Sequence, residues 1–447
     1  MNLEKIFQKI GIAELNAMQE EAIEAILRGR QDVVVLSPTG TGKTLAYLLP
    51  VVQLLNADVN QVQALVIVPG RELALQSDNV LKSLGTGLRS AACYGGRAAM
   101  DEHRKLREVN PQIVFGTPGR LNDHLDKRNI LPYSIRYLII DEFDKCLEMG
   151  FHQEMSRLLR KLPALERRIL LSATDAEQIP DFVQLDKVQR LDYLIEEEPV
   201  GERVTLYAVK SPVKDKLNTL RSLLCRLGDT QSIVFLNYRD AVERVADYLR
   251  REGFGVSAFH GGMEQKQRED ALYKFSNGSA NVFVATDLAS RGLDIPDIQN
   301  IIHYHLPVNE QEMIHRVGRT ARWDKMGQSY FIVGPEESID QLTFLEQQTS
   351  IAELNTECTQ DSSVAYVPSP KMATIYIGKG KKDKISKGDI VGFLCKKGGL
   401  DPEDIGRIDV TDRYAYAAVS RDKLQQVLRL VKGEKIKGIR TVVEPVK

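Results

Sequence analysis

Four consecutive apolar residues, Val33-Val34-Val35-Leu36, run directly into Ser37-Pro38-Thr39-Gly40-Thr41-Gly42-Lys43-Thr44. No other stretch constrains the fold as strongly. The β-branched run predicts a buried strand, and Leu45-Ala46-Tyr47-Leu48-Leu49 predicts the helix that follows. Between them, Ser37, Thr39, Gly40, Thr41 and Gly42 form a small-residue loop suited to cradling phosphate. Gly40 and Gly42 let backbone N–H groups approach phosphate oxygens with no Cβ in the way. Lys43 supplies a point charge for β- and γ-phosphates, and Thr44 a hydroxyl for Mg²⁺. The start of the helix adds unpaired N–H groups and a favourable dipole. Ser37 stands where this pattern usually has its first glycine. A plain glycine-rich turn between strand and helix is the competing reading.

The same alternation continues through the first 340 or so residues. Further strands are expected at Ala64–Val68, Ile113–Phe115, Tyr137–Ile140 and Ile169–Leu171. A second set is expected at Ser232–Leu236, Val256–Phe259, Asn281–Ala285, Ile301–Tyr304 and Tyr330–Val333. Strands alternating with helical patterns predict parallel sheets covered on both faces. The polar stretch from Glu196 to Glu202 divides the two sets, so two α/β domains are expected at residues 1–198 and 206–352. Ligands of such sheets bind beyond the carboxyl ends of the strands. Residues 353–370 read as a linker with Ser362-Ser363 and Pro368-Ser369-Pro370. The remainder, 371–447, reads as βαββαβ, the pattern of the RNA-recognition fold.

At 447 residues the chain exceeds one ordinary core. No apolar run is long enough to span a bilayer, and the opening residues do not resemble a signal peptide. Five scattered cysteines without a C-x-x-C pair point to reduced thiols, and so to the cytoplasm. The net charge of −1 hides an asymmetry. From Lys371 to Lys447 there are 18 Lys and Arg against 10 Asp and Glu, whereas the rest carries 42 against 51. A basic appendage on an acidic body suggests a polyanion partner, nucleic acid above all, against the plainer reading of a solvated surface.

Downstream of the phosphate loop, Tyr137-Leu138-Ile139-Ile140 leads into Asp141-Glu142-Phe143-Asp144. Asp141 is placed to hold a metal, partly through water, and Glu142 to orient or deprotonate the attacking water. With these residues in place, the chain resembles the DEAD-box RNA helicases over nearly its whole length. Gln19 matches that family's adenine-reading glutamine. Pro69-Gly70-Arg71-Glu72-Leu73-Ala74, Gly95-Gly96, Thr117-Pro118-Gly119-Arg120 and Ser172-Ala173-Thr174 follow in family order. The second domain contributes Ile233–Asn237, Gln265-Lys266-Gln267-Arg268, Thr286–Asp294 and His315-Arg316-Val317-Gly318-Arg319-Thr320-Ala321-Arg322. The resemblance implies two tandem RecA-like domains and a small α+β RRM-like C-terminal domain, with ATP and Mg²⁺ as ligands.

It also implies roles. Gln19 would select adenine. Asp294 would contact the ribose, and Arg319 and Arg322 would stabilise charge on the transferring γ-phosphoryl. Those arginines belong to the second domain and the phosphate loop to the first, so closure of the domains would gate hydrolysis. Asp144, Ser172, Thr174 and His315 would couple the domains. Pro69, Arg71, Gly95, Gly96, Thr117, Gly119 and Arg120 would hold RNA from the first domain. Asn237, Gly261, Gln265, Arg268 and Thr286 would do so from the second. Such residues suit phosphate and sugar rather than base edges.

Three departures stand out. Phe143 replaces the family's alanine, so local repacking is expected with Asp141, Glu142 and Asp144 intact. Ile12 and Asn16 replace an aromatic residue and a threonine, and too few residues precede Gln19 for the family's upstream phenylalanine. A lower ATP affinity is expected from these. The C-terminal domain resembles that of the bacterial DbpA-like branch, which acts in large ribosomal subunit assembly. Lys379, Lys381, Lys382 and Lys384 form a basic loop for RNA phosphate. Tyr376, Tyr414 and Tyr416 are either base-stacking platforms or ordinary sheet residues. The expected activity is RNA-stimulated ATP hydrolysis with local unwinding of structured, ribosomal RNA by a monomer working on a precursor particle. An ATP-gated RNA clamp with little unwinding is the alternative, and a DNA translocase is disfavoured by Gln19 and the RRM-like tail.

Overall fold

The computed structural model describes residues 6–7, 14–38, 40–96, 99–175, 179–194, 204–287, 298–317, 327–339, 342, 352–353 and 367–446. The chain forms two compact units that divide near residue 198. The described residues of the expected domains at 206–352 and 371–447 all fall within the second unit. Among the described residues, no helix is long and apolar enough to cross a membrane.

The first unit is built on seven strands: β1 (Val33–Leu36), β2 (Ala64–Ile67), β3 (Ser90–Cys93), β4 (Ile113–Gly116), β5 (Tyr137–Ile140), β6 (Arg167–Ser172) and β7 (Gln189–Asp192). They lie in the order β3-β4-β2-β5-β6-β1-β7, and every neighbouring pair is parallel. Strands β1, β2 and β4 are buried at every position, which is why they read as unbroken apolar runs. Two strands escaped the apolar criterion. In β3, Ser90-Ala91-Ala92-Cys93 is buried but small. In β7, an edge strand, Gln189-Arg190-Leu191-Asp192 buries only Leu191.

The second unit carries β8 (Val204–Lys210), β9 (Ser232–Leu236), β10 (Val256–Phe259), β11 (Val282–Thr286), β12 (Asn300–His303), β13 (Gly327–Val333) and β14 (Ala352–Glu353). Their order, β10-β11-β9-β12-β13-β8-β14, is again parallel throughout. Strand β8 was not expected because polar Thr205 and Lys210 alternate with its buried residues, giving no apolar run.

The C-terminal module adds β15 (Met372–Ile377), β16 (Ile405–Val410), β17 (Ala415–Ser420), a short β18 (Lys435–Ile436) and β19 (Ile439–Arg440) hairpin, and β20 (Val443–Pro445). Its main sheet is antiparallel in the order β16-β17-β15-β20. Ile375, Ile377, Ala415, Ala417 and Val419 point into a core shared with Ile390, Phe393, Leu394 and Val427 of two helices, Lys387–Lys396 and Leu424–Leu430. Ser386 caps the first of these, its hydroxyl accepting from the Asp389 N–H.

Phe143 enters the first unit's core at 1% exposure, among Val34, Leu36, Leu138, Ile140, Cys146 and Leu170. Phe143 opens the helix Phe143–Glu148 and its side chain fills part of this core. Truncation to the family's alanine should leave a cavity costing about 3–5 kcal/mol. Chemical unfolding of the Phe143→Ala variant should show that loss in the transition of the first domain.

Candidate functional site

The strand order decides what meets what. β5, β6 and β1 are neighbours, so their carboxyl ends bring Asp141, Ser172 and Ser37 side by side. Leu36 is level with Ser172, and the Ser37 N–H donates to the Ser172 carbonyl at 3.0 Å. The phosphate loop then turns through Gly40 and Gly42 at φ 96° and 86°, values that favour glycine. Gly42 precedes the helix Lys43–Leu54, with Thr44 in its first turn. Inside the loop, Ser37 Oγ donates to Thr41 Oγ1 at 2.7 Å and Thr41 Oγ1 to the Pro38 carbonyl at 3.0 Å. The Lys43 ammonium is folded into the same loop, donating to the carbonyls of Ser37 and, at 2.7 Å, Pro38.

Gln19 belongs to this cluster directly. Its helix, Ala17–Arg28, is capped by Asn16, whose Oδ1 accepts the Gln19 N–H at 2.9 Å. Asn16 also donates its amide to the Thr41 carbonyl at 3.0 Å. The Gln19 side chain accepts the Asn16 N–H at 3.2 Å and donates to the Gly42 carbonyl at 3.3 Å. A Cβ on Gly42 would run into that amide nitrogen. The departure at Asn16 therefore has a structural use: it ties the glutamine to the phosphate loop.

Just past β5, Asp141 is 3% exposed, and burial together with the charge of Glu142 pushes its carboxyl up to about 7 against the pull of Lys43. Glu142 adopts φ 51°, a left-handed conformation that costs a non-glycine residue about 1–2 kcal/mol, and its N–H donates to Asp141 Oδ1 at 3.0 Å. That turn starts the helix carrying Asp144. Thr174 Oγ1 donates to Asp144 Oδ2 at 3.1 Å, and Ser172 Oγ to the Thr174 carbonyl at 2.6 Å. So within the first unit the threonine of this motif binds the acidic turn and the serine braces the threonine.

The other half of the same sheet edge, β3-β4-β2, carries the loops expected to hold RNA. Pro69 to Arg71 follow β2, Gly95 and Gly96 follow β3, and Thr117 to Arg120 follow β4. The Arg71 side chain lies under Gly96, which sits at φ 91° and has no room for a Cβ.

In the second unit, Asn237, Gly261 and Thr286 lie at the carboxyl ends of adjacent β9, β10 and β11. Gln265 and Arg268 begin the helix Gln265–Ser276. The residue that organises this region is Arg316, a residue with no separate role in the sequence reading. Fully buried, it donates through Nε and Nη2 to both oxygens of Asp287 at 2.6 Å. It also reaches Asn237 Oδ1 at 2.9 Å and the His305 carbonyl at 2.6 Å. Burial pushes the Asp287 carboxyl up to about 6 even against this two-pronged partner. Only the pairing of Arg316 with an aspartate just past a β-strand could have signalled it. His315, beside it, is buried on the helix Glu310–Val317.

The module's basic loop is exposed at Lys381, Lys382 and Lys384 and pinned in shape. Lys381 and Lys382 N–H groups donate to the carbonyls of Thr411 and Asp412 at 2.8 and 2.9 Å, and Lys379 pairs with Asp383 at 3.0 Å. The tyrosines lie on the sheet face away from the module's core, Tyr376 directly opposite Tyr416. That face meets the helix Gln265–Ser276. Tyr414 and Tyr416 donate to Glu269 and Asp270, the Tyr416 and Tyr273 rings are 4.3 Å apart, and Lys266 lies over Tyr376 at 5.0 Å. Thr374 bonds Asn277 and Ser279. The three tyrosines thus contact protein on this face. Ile12, Thr39, Asp294, Arg319 and Arg322 lie outside the described residues.

Removing one member of a buried pair leaves an uncompensated charge. Arg316→Met should therefore destabilise the second domain by about 3–5 kcal/mol in chemical unfolding, and Arg316→Lys should restore little, because an ammonium lacks the planar fork.

Comparison with known proteins agrees with this geometry. The DEAD/DEAH box helicase family matches residues 16–182, the helicase conserved C-terminal domain 215–324, and the DbpA RNA binding domain 374–445. The chain is 34% identical over 439 residues to the ATP-dependent RNA helicase DbpA of Escherichia coli (strain K12), spanning 96% of this chain and 94% of that one. It is 30% identical over 458 residues to the DbpA of Bacillus subtilis (strain 168), spanning 97% and 95%. Among solved structures, it is similar to the DEAD-box helicase Mss116 bound to ssRNA and UDP-BeF, with a TM-score of 0.69, 26% identity and coverage of 80% and 78%. S. cerevisiae Dbp5 bound to RNA and ADP BeF3 shares the fold, with a TM-score of 0.69, 24% identity and coverage of 79% and 93%. The chain belongs to the DEAD-box ATP-dependent RNA helicases, in the DbpA group that carries a C-terminal RNA-binding domain.

Proposed function

We propose that this helicase uses ATP to melt short stretches of structured RNA locally, and that its RNA is ribosomal, met during assembly of the large subunit. One observation carries the reading: the first domain's sheet edge holds the phosphate loop and its acids on β5-β6-β1 and the glycine and arginine loops on β3-β4-β2. Nucleotide and RNA would then bear on one rigid edge. The likeness of residues 374–445 to DbpA RNA-binding domains supports the ribosomal target.

In this reading Gln19 selects adenine, Lys43 meets the β- and γ-phosphates, and the loop from Ser37 through Thr39 to Thr44 supplies amides. Asp294 holds the ribose. Glu142 orients the attacking water. The oxygen donors of Asp141 and Thr44 suit a hard cation such as Mg²⁺, and a desolvated carboxylate crowded by Glu142 gains strongly from one. Bound there, the cation neutralises phosphate charge. Arg319 and Arg322 stabilise the γ-phosphoryl in flight, and Asp144, Ser172, Thr174 and His315 relay closure of the domains. Lys379, Lys381, Lys382 and Lys384 hold the phosphates of the target RNA.

Glu142→Gln should lower RNA-stimulated ATP turnover by about a hundredfold or more while ATP still binds. Undiminished turnover would remove the glutamate from its role. Replacing Lys381, Lys382 and Lys384 together with alanine should weaken binding to ribosomal RNA fragments and flatten the dependence of log affinity on log salt by about two units of slope. An unchanged slope places RNA elsewhere on the module.

A further inference from the structure

Glu102 is a carboxylate in the interior of the first domain, 6% exposed, on the helix Ala99–Val109. Such a group persists only when its oxygens are well supplied with donors. Its Oε1 accepts the Tyr94 N–H at 3.1 Å. Its Oε2 lies 3.3 Å from Arg120 Nε and 3.2 Å from Nε2 of the fully buried His124. The Asn129 amide meets the other ring nitrogen of His124 at 3.4 Å, leaving Nε2 to carry the proton that faces Glu102. Cys93 Sγ lies in the same cluster, and burial, with Glu102 beside it, holds that thiol protonated. The Arg120 guanidinium supplies the positive charge here, so the cluster is an ion-pair network rather than a metal nest.

The partners matter because of what they are joined to. Tyr94 immediately precedes Gly95-Gly96 at the exit of β3. Arg120 and His124 lie on the helix Pro118–Asp126, whose N-cap is Thr117. One side chain, from a third element, thus binds both loops. We infer that Glu102 is a positioning residue for RNA: one oxygen fixes the Gly95-Gly96 turn, and the other fixes the guanidinium of Arg120 from its Nε side. Through Arg71, which lies under Gly96, the same tie reaches the loop after β2.

The chemistry requires a carboxylate. Three donors converge on Glu102, and a carboxylate is acceptor-only at both oxygens. A glutamine at this position accepts at one oxygen and turns its NH₂ toward the remaining donors, so one loop is released whichever way the amide lies.

The inference rests on the proposed RNA role of Gly95, Gly96 and Arg120, and the test separates the two. In the full-length protein, the RNA concentration giving half-maximal ATPase stimulation is measured for Glu102→Gln, Arg120→Ala and the double variant. Half-saturating ATP and the unfolding midpoint are followed in parallel. Glu102→Gln should raise half-saturating RNA by about tenfold and change half-saturating ATP by less than about twofold. The double variant should lose clearly less than the product of the two single losses, because part of the effect of Glu102 runs through Arg120 and the rest through the Gly95-Gly96 turn. If Arg120→Ala leaves RNA dependence unchanged, the RNA role of Arg120 is wrong. If Arg120→Ala weakens RNA but Glu102→Gln does not, or their effects multiply, the positioning role is wrong. Equal losses for RNA and ATP with a lowered unfolding midpoint would make Glu102 a merely structural residue and overturn the inference.

Discussion

Parallel strand pairing is the constraint on which the rest depends. When all seven strands of a sheet run one way, every loop that leaves a carboxyl end emerges on one edge. Loop residues far apart in sequence then become neighbours by strand order alone. The first sheet uses this twice. Its β5-β6-β1 half gathers Asp141, Ser172 and the phosphate loop, and its β3-β4-β2 half gathers Pro69 to Arg71, Gly95-Gly96 and Thr117 to Arg120. The join is the β2–β5 ladder, where Ile67 and Ile140 are level. The second sheet repeats the device with β10-β11-β9.

Backbone pairing sets where the loops emerge, and buried polar links set their shape. Asp144 is held by Thr174, the Gly95 turn and Arg120 by Glu102, and Asn237 and Asp287 by Arg316. In each case a side chain from one strand end or helix is satisfied by another. A loop fixed this way loses little entropy when a ligand arrives, which is the advantage of preorganisation.

Much of this was legible in the sequence. The phosphate loop, the acidic turn and the alternating elements announce themselves because buried parallel strands are apolar runs and glycine loops have few other uses. Fidelity fails where burial does not require bulk or apolarity. β3 is made of small residues and β7 of polar ones, so neither carries a periodic signal. Arg316 and Glu102 were silent for a related reason: a buried charge looks like a surface charge until its partners, which are remote in sequence, are known. The tyrosines of the module show the converse. Their alternation marks a sheet face correctly, but nothing in the sequence says that the helix Gln265–Ser276 covers it.

The engagement of Gln19 has a thermodynamic corollary. Both ends of its amide are occupied within the protein, by the Asn16 N–H and by the Gly42 carbonyl. A base that presents a matching donor and acceptor exchanges these bonds for new ones, and the net gain is close to zero. A base with the opposite order breaks them and returns nothing, leaving two buried polar groups unsatisfied. In the adenine-reading role proposed for it, a glutamine anchored to the phosphate loop in this way would discriminate by penalty: it would add little to the affinity for the right nucleotide and subtract heavily from that for the wrong one.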